Sequence, residues 1–313
     1  MHKERALTLK KRLASCDICP RSCRVNRANG ETGFCKTTDE IPVAHIGLHF
    51  GEEPPISGSG GSGTIFFANC NLRCVYCQNF QISQCAEEIC IQTLSPDELA
   101  DEMLDLQAKG AHNINLVSPT HVIAQVAPSL CLARERGLSI PVVYNTNGYE
   151  ALETLRCLEG LVDIYLPDIK YSDNACAKSY SGVDDYVDVN RQAIQEMFRQ
   201  VGNLAFDRQG IARRGLLVRH LVLPADRAGS KGSLRFLASL SQEMYISLMA
   251  QYSPQFKARN IAPLDRRISA VEYERVLDYA LELGLDNCFI QEVESNALLI
   301  PDFSKADPFL EQG

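Results

Sequence analysis

The 313-residue sequence contains no apolar run long enough to cross a bilayer as a helix. Its opening residues Met1-His2-Lys3-Glu4-Arg5-Ala6 are too polar for a secretory signal, so a cytoplasmic protein without a membrane is expected. Positive charge is in deficit. With 31 Lys and Arg against 39 Asp and Glu the net charge is −8, which argues against nucleic acid or an anionic membrane as main partner. Short internal repeats are missing, and tryptophan is absent, which excludes nothing. Cysteine, by contrast, is plentiful. Thirteen in a chain expected inside the cell point to metal or redox chemistry rather than a disulfide framework, and the odd count leaves at least one thiol unpaired. A hydrophobic content of 45% is enough for a substantial core.

Residues 1–63 are rich in Cys, Arg and Gly, show little helical periodicity, and end in Gly58-Ser59-Gly60-Gly61-Ser62-Gly63. That run reads either as a flexible connection or as a turn that brings backbone close to a bound ligand. From residue 64 the pattern alternates. Apolar, β-rich segments fall at 64–68, 113–118, 140–145, 161–167, 216–223, 244–249 and 287–293. Longer amphipathic stretches separate most of them. Ser95-Pro96-Asp97-Glu98 predicts a capped helix closed by Gly110, and Ser269-Ala270-Val271-Glu272 predicts another closed by Gly284. A third runs from Thr120 to Arg136. Strands separated by such helices imply βαβ units and a parallel sheet, closed as a full or partial barrel or left open and doubly wound. The expected organisation is a Cys-rich N-terminal extension with its Gly/Ser connection at 1–63, an α/β core at 64–300, and a C-terminal tail at 301–313.

Two groups of cysteines carry the chemistry. Cys70, Cys74 and Cys77 lie directly after the apolar stretch Thr64–Phe67, in the spacing C-x3-C-x2-C. Three thiolates from one loop suit three irons of a [4Fe–4S] cube and leave the fourth iron open, whereas an electron-transfer cluster takes four cysteines. An open coordination position marks catalysis at zinc sites by the same logic. A zinc knuckle, the plainer alternative, needs a fourth ligand. Upstream, Cys16, Cys19, Cys23 and Cys35 follow C-x2-C-x3-C-x11-C, with Pro20 and Gly33 at turn positions. Zinc and a second iron–sulfur cluster both accept four thiolates. Zinc would staple a segment too short to bury its own core, while a cluster would pass electrons to the first or sit near the substrate. Four free thiols in a disordered arm is the remaining reading. Cys85, Cys90, Cys131, Cys157, Cys176 and Cys288 have no partner spacing and read as small buried hydrophobes.

The run Cys70-Asn71-Leu72-Arg73-Cys74-Val75-Tyr76-Cys77, with an aromatic residue before the last cysteine, resembles the signature of the radical S-adenosylmethionine (SAM) superfamily. The continuation Gln78-Asn79 is similar to the branch containing the activating enzymes of pyruvate formate-lyase and other glycyl radical enzymes. The wider layout, from Cys16 to about Ile290, resembles a bacterial and archaeal offshoot of that branch. The resemblance implies a partial (β/α)6-type TIM barrel of parallel strands, with the cysteine loop at its C-terminal rim. It implies a [4Fe–4S] cluster held by Cys70, Cys74 and Cys77, with S-adenosyl-L-methionine chelating the open iron and yielding a 5′-deoxyadenosyl radical.

Further site residues follow from the same resemblance. Tyr76 and Asn79 belong to the cluster loop. After the second strand a Gly-Gly-Glu-like turn usually binds the cofactor's amino group, but Asn115-Leu116-Val117-Ser118-Pro119-Thr120-His121 has no acidic residue, so Ser118, Thr120 or backbone carbonyls take its place. Asn145-Thr146-Asn147-Gly148 resembles the Asp-Thr-Asn-Gly turn of activating enzymes, and Asp168-Ile169-Lys170 their Asp-x-Lys. By that likeness Thr146 and Asp168 are ligands of a monovalent cation and Lys170 a carboxylate contact. An ordinary ion pair at a strand end is the plainer reading of Asp168 and Lys170. In Arg219-His220-Leu221 neighbouring side chains point to opposite faces of an extended strand. Arg219 is the expected electrostatic contact in the cofactor site, and His220 a hydrogen-bonded core residue. Gln251 and Tyr252 suit the substrate cavity and plain packing equally.

The leading expectation is therefore an oxidoreductase of radical chemistry that abstracts hydrogen from a partner protein, in the manner of glycyl radical activation. A flavodoxin- or ferredoxin-type reductant is expected by analogy. Action on a small metabolite or nucleotide is the second reading, and a non-catalytic iron–sulfur electron carrier the third. The acidic charge balance counts against RNA as substrate.

Overall fold

Seven parallel strands form the centre of the sheet in the computed structural model, which describes residues 2–293 and 300–309. The strands are β1 (Ile41–His49), β2 (Ser62–Phe67), β3 (Gln92–Leu94), β4 (Ile114–Val117), β5 (Val142–Thr146), β6 (Ile164–Pro167), β7 (Ala205–Phe206), β8 (Ala212–Leu221), β9 (Tyr245–Met249) and β10 (Cys288–Ile290). Their order is β10-β9-β8-β6-β5-β4-β2-β1-β3, with β7 attached to β8. Pairing is parallel from β2 through β10, and antiparallel where β1 meets β2 and β3 and where β7 meets β8. The arc β2, β4, β5, β6, β8, β9 is the expected partial barrel, and β10 adds a short further strand.

The helices are α1 (His2–Lys11), α2 (Pro54–Ser57), α3 (Phe80–Ser83), α4 (Pro96–Ala108), α5 (Ile123–Glu135), α6 (Leu152–Leu158), α7 (Asn174–Ser181), α8 (Tyr186–Val201), α9 (Ser230–Leu240) and α10 (Ala270–Glu282). Both expected capping boxes form: Ser95 with Glu98 begins α4, and Ser269 with Glu272 begins α10. Every residue of β2, β4 and β6 is buried, as continuous apolar strands require when both faces are covered. Leu116, Val142 and Tyr144 pack outward against the helices, with Leu99, Leu130, Ile194 and Leu234 in the same cluster. Val143, Ile164, Leu166 and Leu217 form a second cluster with Ile56 of α2. Among the described residues no helix is long and apolar enough to cross a membrane.

The segment before residue 64 is more regular than its composition predicts. Ala6 and Leu9 of α1 are buried, and the helix packs on α5 and α6. Ile41 and Val43 alternate inward on β1, which no local signal marks because Pro42 interrupts the run. The register sets His49 opposite Ser62, so β1 ends where β2 begins. Residues 50–57 consequently turn in at the N-terminal mouth of the barrel, and α2 plugs it. Gly58 to Gly61 form a packed turn that leads into β2 at Ser62, with the Gly60 amide donating to His112 Nε2 at 2.9 Å. At the other end of the chain Phe303 and Phe309 pack with Phe66 of β2.

Candidate active site

β2 ends at Phe67, and Asn69 then reverses the chain with φ at +70°, a conformation asparagine tolerates better than most residues. The loop that follows is pinned on both sides at Val75: its N donates to Tyr180 O at 2.8 Å, and its O accepts from Ala258 N at 2.9 Å. The Tyr76 ring is buried, with its hydroxyl donating to Tyr171 at 2.7 Å. The three thiols each have a polar neighbour. Cys70 Sγ accepts from Leu72 N and Asn147 Nδ2, both at 3.4 Å. Cys74 Sγ lies 3.0 Å from Ser181 Oγ, and Cys77 Sγ 3.3 Å from Ser83 Oγ. Burial pushes the Cys70 thiol up to about 12 and the Cys77 thiol up to about 11, and raises Cys74 as well. Thiols in this environment are neutral until a metal claims them as thiolates.

This loop opens onto a cavity of about 340 Å³ at the C-terminal ends of the strands. Cys70, Cys74, Tyr76, Cys77 and Asn79 line it from the β2 side, and Ser118 from the end of β4, where φ is +56°. Asn145, Thr146 and Asn147 enter from β5, Asp168 and Lys170 from β6, and Arg219 from β8. Gln251 is also in the wall. Turns spread over 150 residues of sequence thus share one space because parallel strands deliver all their C-terminal ends to the same rim.

Lys170 Nζ sits 2.5 Å from Asp168 Oδ2, and both side chains are largely buried in the cavity wall rather than on the outer surface. Burial disfavours the Lys170 ammonium, but the Asp168 carboxylate beside it more than offsets this and raises the lysine well above its ordinary value. The carboxylate that the resemblance gives to a monovalent cation therefore already carries a cation of this chain's own. Thr120 is a correction: it does not reach the cavity. Its hydroxyl donates to Glu150 at 2.5 Å and lies 3.1 Å from Thr146 Oγ1, behind the wall. Glu150 gathers Thr120, Thr146 and Tyr144, and its carboxyl is pushed up to about 7 by burial, against the pull of those three hydroxyls. Thr146 is likewise committed to Glu150.

Arg219 faces the cavity, as alternation requires, and His220 is the buried partner, bonded to Ile169 O at 2.7 Å and Ser230 Oγ at 2.9 Å. The Arg219 guanidinium is held from below. Glu53 takes it at 2.8 and 2.6 Å, and Glu52 takes the same Nη2. Asn115 Nδ2 donates to Glu52 at 2.8 Å. Two carboxylates around one guanidinium make a charged floor at the plugged end of the barrel. No local signal in the sequence marks Glu52 and Glu53, because a polar doublet between Gly51 and Pro54 looks like surface; the β1 register turns it inward. Tyr252 is buried packing, its hydroxyl donating to Leu264 O at 2.6 Å.

Cys16, Cys19, Cys23 and Cys35 line a separate small cavity on the outer side of the cluster loop. Of the six cysteines expected as buried hydrophobes only Cys131 is buried; Cys90 is exposed just before β3, and the others are half-buried. Among the described residues no three His, Cys, Asp or Glu side chains meet closely enough to share one metal ion. An iron–sulfur cube makes a different demand, since each of its cysteines sits on a separate iron. Three cysteines on one loop that line one cavity, each with an N–H donor or a hydroxyl at the sulfur, fit that group.

The model of the Radical SAM superfamily matches residues 64–204, from β2 through β6 to the end of α8. An uncharacterized protein of Methanocaldococcus jannaschii is 30% identical over 280 residues, which is 87% of this chain and 76% of the relative. A second uncharacterized protein of that organism is 28% identical over 169 residues, about half of each chain. Among solved structures, that of methylornithine synthase aligns at 16% identity with a TM-score of 0.49. The alignment takes in 72% of this chain and 63% of the synthase, less than two thirds of its length.

Proposed function

Because this chain belongs to the radical SAM superfamily, we propose that it cleaves S-adenosylmethionine reductively and abstracts hydrogen from a protein substrate, as an activator of a glycyl radical enzyme. The observation that supports this most is the opening of the Cys70, Cys74 and Cys77 thiols onto the same cavity as the Asn145–Asn147 and Asp168–Lys170 turns. When bound, the [4Fe–4S] cluster and S-adenosylmethionine supply a one-electron cleavage and a radical that takes hydrogen.

The chain's own residues hold and shield that chemistry. Cys70, Cys74 and Cys77 carry the cluster. Asn147 fixes the Cys70 sulfur, and Ser181 and Ser83 stand at the other two. Ser118 and the carbonyls of its turn take the amino end of the cofactor, and Lys170, shared with Asp168, faces its carboxylate. Tyr76 closes the inner side of the loop with Tyr171 and Tyr252, which keeps water away. A flavodoxin- or ferredoxin-type protein in the cytoplasm is the electron donor in this reading.

The Glu52–Arg219–Glu53 floor favours a second reading, because it places charged groups in the cavity wall that suit a small polar metabolite. Electron paramagnetic resonance separates the two. Reduced protein with S-adenosylmethionine is mixed with candidate glycyl radical proteins from the same organism. A glycyl doublet on the partner supports activation. Turnover of the cofactor that responds to a small polar metabolite and to no protein supports the second reading.

A further inference from the structure

We propose that Cys16, Cys19, Cys23 and Cys35 form a second metal centre of four thiolates, which braces the cluster loop from outside. The four thiols are free of disulfides and line one cavity of about 10 Å³, room for about one water-sized atom. Tight turns present them. Ser22 N donates to Cys19 O at 3.0 Å, Lys36 N donates to Gly33 O at 3.0 Å, and Cys16 and Val25 are joined at 2.9 Å. At Gly33 any Cβ would lie 2.7 Å from both Cβ and Sγ of Cys23, so only glycine lets the chain close over that sulfur.

The polar groups around the cavity are unbalanced without a negative centre. Arg27 is 1% exposed, yet its partners among the described residues are Thr38 O, His121 O and, at 3.8 Å, the Cys16 sulfur. Among the described residues no carboxylate is hydrogen-bonded to it. A buried guanidinium without a counter-charge is costly. Four thiolates around a divalent ion leave a net negative charge beside it; a [4Fe–4S] cube would do the same but needs the cavity, sized for one atom, to widen. Arg21, which also lines the cavity, leaves its buried Nη2 donor without a hydrogen bond, while His121, 1% exposed, gives its Nε2–H to Ala68 O and so presents Nδ1 as a bare acceptor without a partner. Phe34 N already donates to Cys23 Sγ at 3.4 Å. The sulfurs do not yet converge on one point, so loading requires the thiols to rotate inward.

The bracing is direct. Arg21 Nε donates to Asn71 O at 3.1 Å, Arg73 Nη2 donates to Phe34 O at 3.1 Å, and Asn69 Nδ2 donates to Thr37 Oγ1 at 3.4 Å. His121 Nε2 is 2.8 Å from Ala68 O, and Arg27 holds His121 O at 2.7 Å. Both flanks of Cys70 thus rest on the segment that the four cysteines would tie.

The centre is tested apart from the radical chemistry, on the full chain carrying Cys70→Ala, Cys74→Ala and Cys77→Ala together. That protein is purified anaerobically, its zinc, iron and sulfide are counted, and it is titrated with cobalt(II) while thiolate-to-metal absorption is recorded. About one zinc per chain identifies a zinc site, and about four irons with sulfide a cluster. Either result, lost when Cys16→Ser and Cys35→Ser are added, supports the proposal. It is overturned if the folded triple variant, checked by circular dichroism, takes up neither zinc, cobalt nor iron. It is equally overturned if uptake is indifferent to Cys16 and Cys35. The cobalt titration needs no further substitution, so it stands even where the serine variants fail to fold.

Discussion

Asn147 Nδ2 donates to Cys70 Sγ across 3.4 Å, a bond between the turn after β5 and the loop after β2. The same amide donates to Asn71 Oδ1 at 2.7 Å, so one side chain sets both the sulfur and its neighbour. Hydrogen bonds to cluster sulfurs raise reduction potentials. Asn147→Ala should therefore retain a cluster but titrate at lower potential, as followed by electron paramagnetic resonance. The buried Asn71 carbonyl left unpaired should destabilise the fold by about 1–3 kcal/mol. An unchanged potential would show that Asn147 only packs.

Glu150 gives the protein a pH dependence of definite sign. Its carboxyl ionises near 4.5 ordinarily and at about 7 in the folded chain, chiefly through burial. Between those values the native state binds the extra proton, so stability should fall as pH rises through this window and then level off. Glu150→Gln should remove that slope and be more stable at pH 8 by up to about 3 kcal/mol. Urea unfolding at intervals from pH 5 to 8 measures it, and parallel curves for the two proteins would rule the effect out.

The charged floor should behave as a unit. Arg219→Met leaves Glu52 and Glu53 buried side by side without their counter-charge, a loss of about 3–5 kcal/mol. Adding Glu52→Gln and Glu53→Gln should recover most of it. If the triple variant is no more stable than Arg219→Met alone, the carboxylates are solvated in solution and the floor is not closed.

Most of the barrel was legible because its signals are local. The apolar runs became β2, β4, β5, β6, β8 and β9 nearly in place, and Ser95 and Ser269 capped the helices their spacing predicts. Cys70, Cys74 and Cys77 were legible for the same reason, since one loop carries all three. What escaped depends on contacts distant in sequence. β1 is half exposed and broken by Pro42, so its pairing with β2 and β3 defines it. Glu52 and Glu53 became inward residues through that register alone. Thr120 fits the cofactor pattern by position, but Glu150, thirty residues on, competes for its hydroxyl and wins.

Cleavage of S-adenosylmethionine by this chain would run through a cluster on Cys70, Cys74 and Cys77. The direct test is anaerobic: the reconstituted protein is reduced, given S-adenosylmethionine, and assayed for 5′-deoxyadenosine beside the Cys74→Ala variant. The expected result is slow production by the unaltered protein, with none from the variant. Equal production by both, or none from a protein whose reduced cluster is intact and whose candidate partners are present, would contradict it.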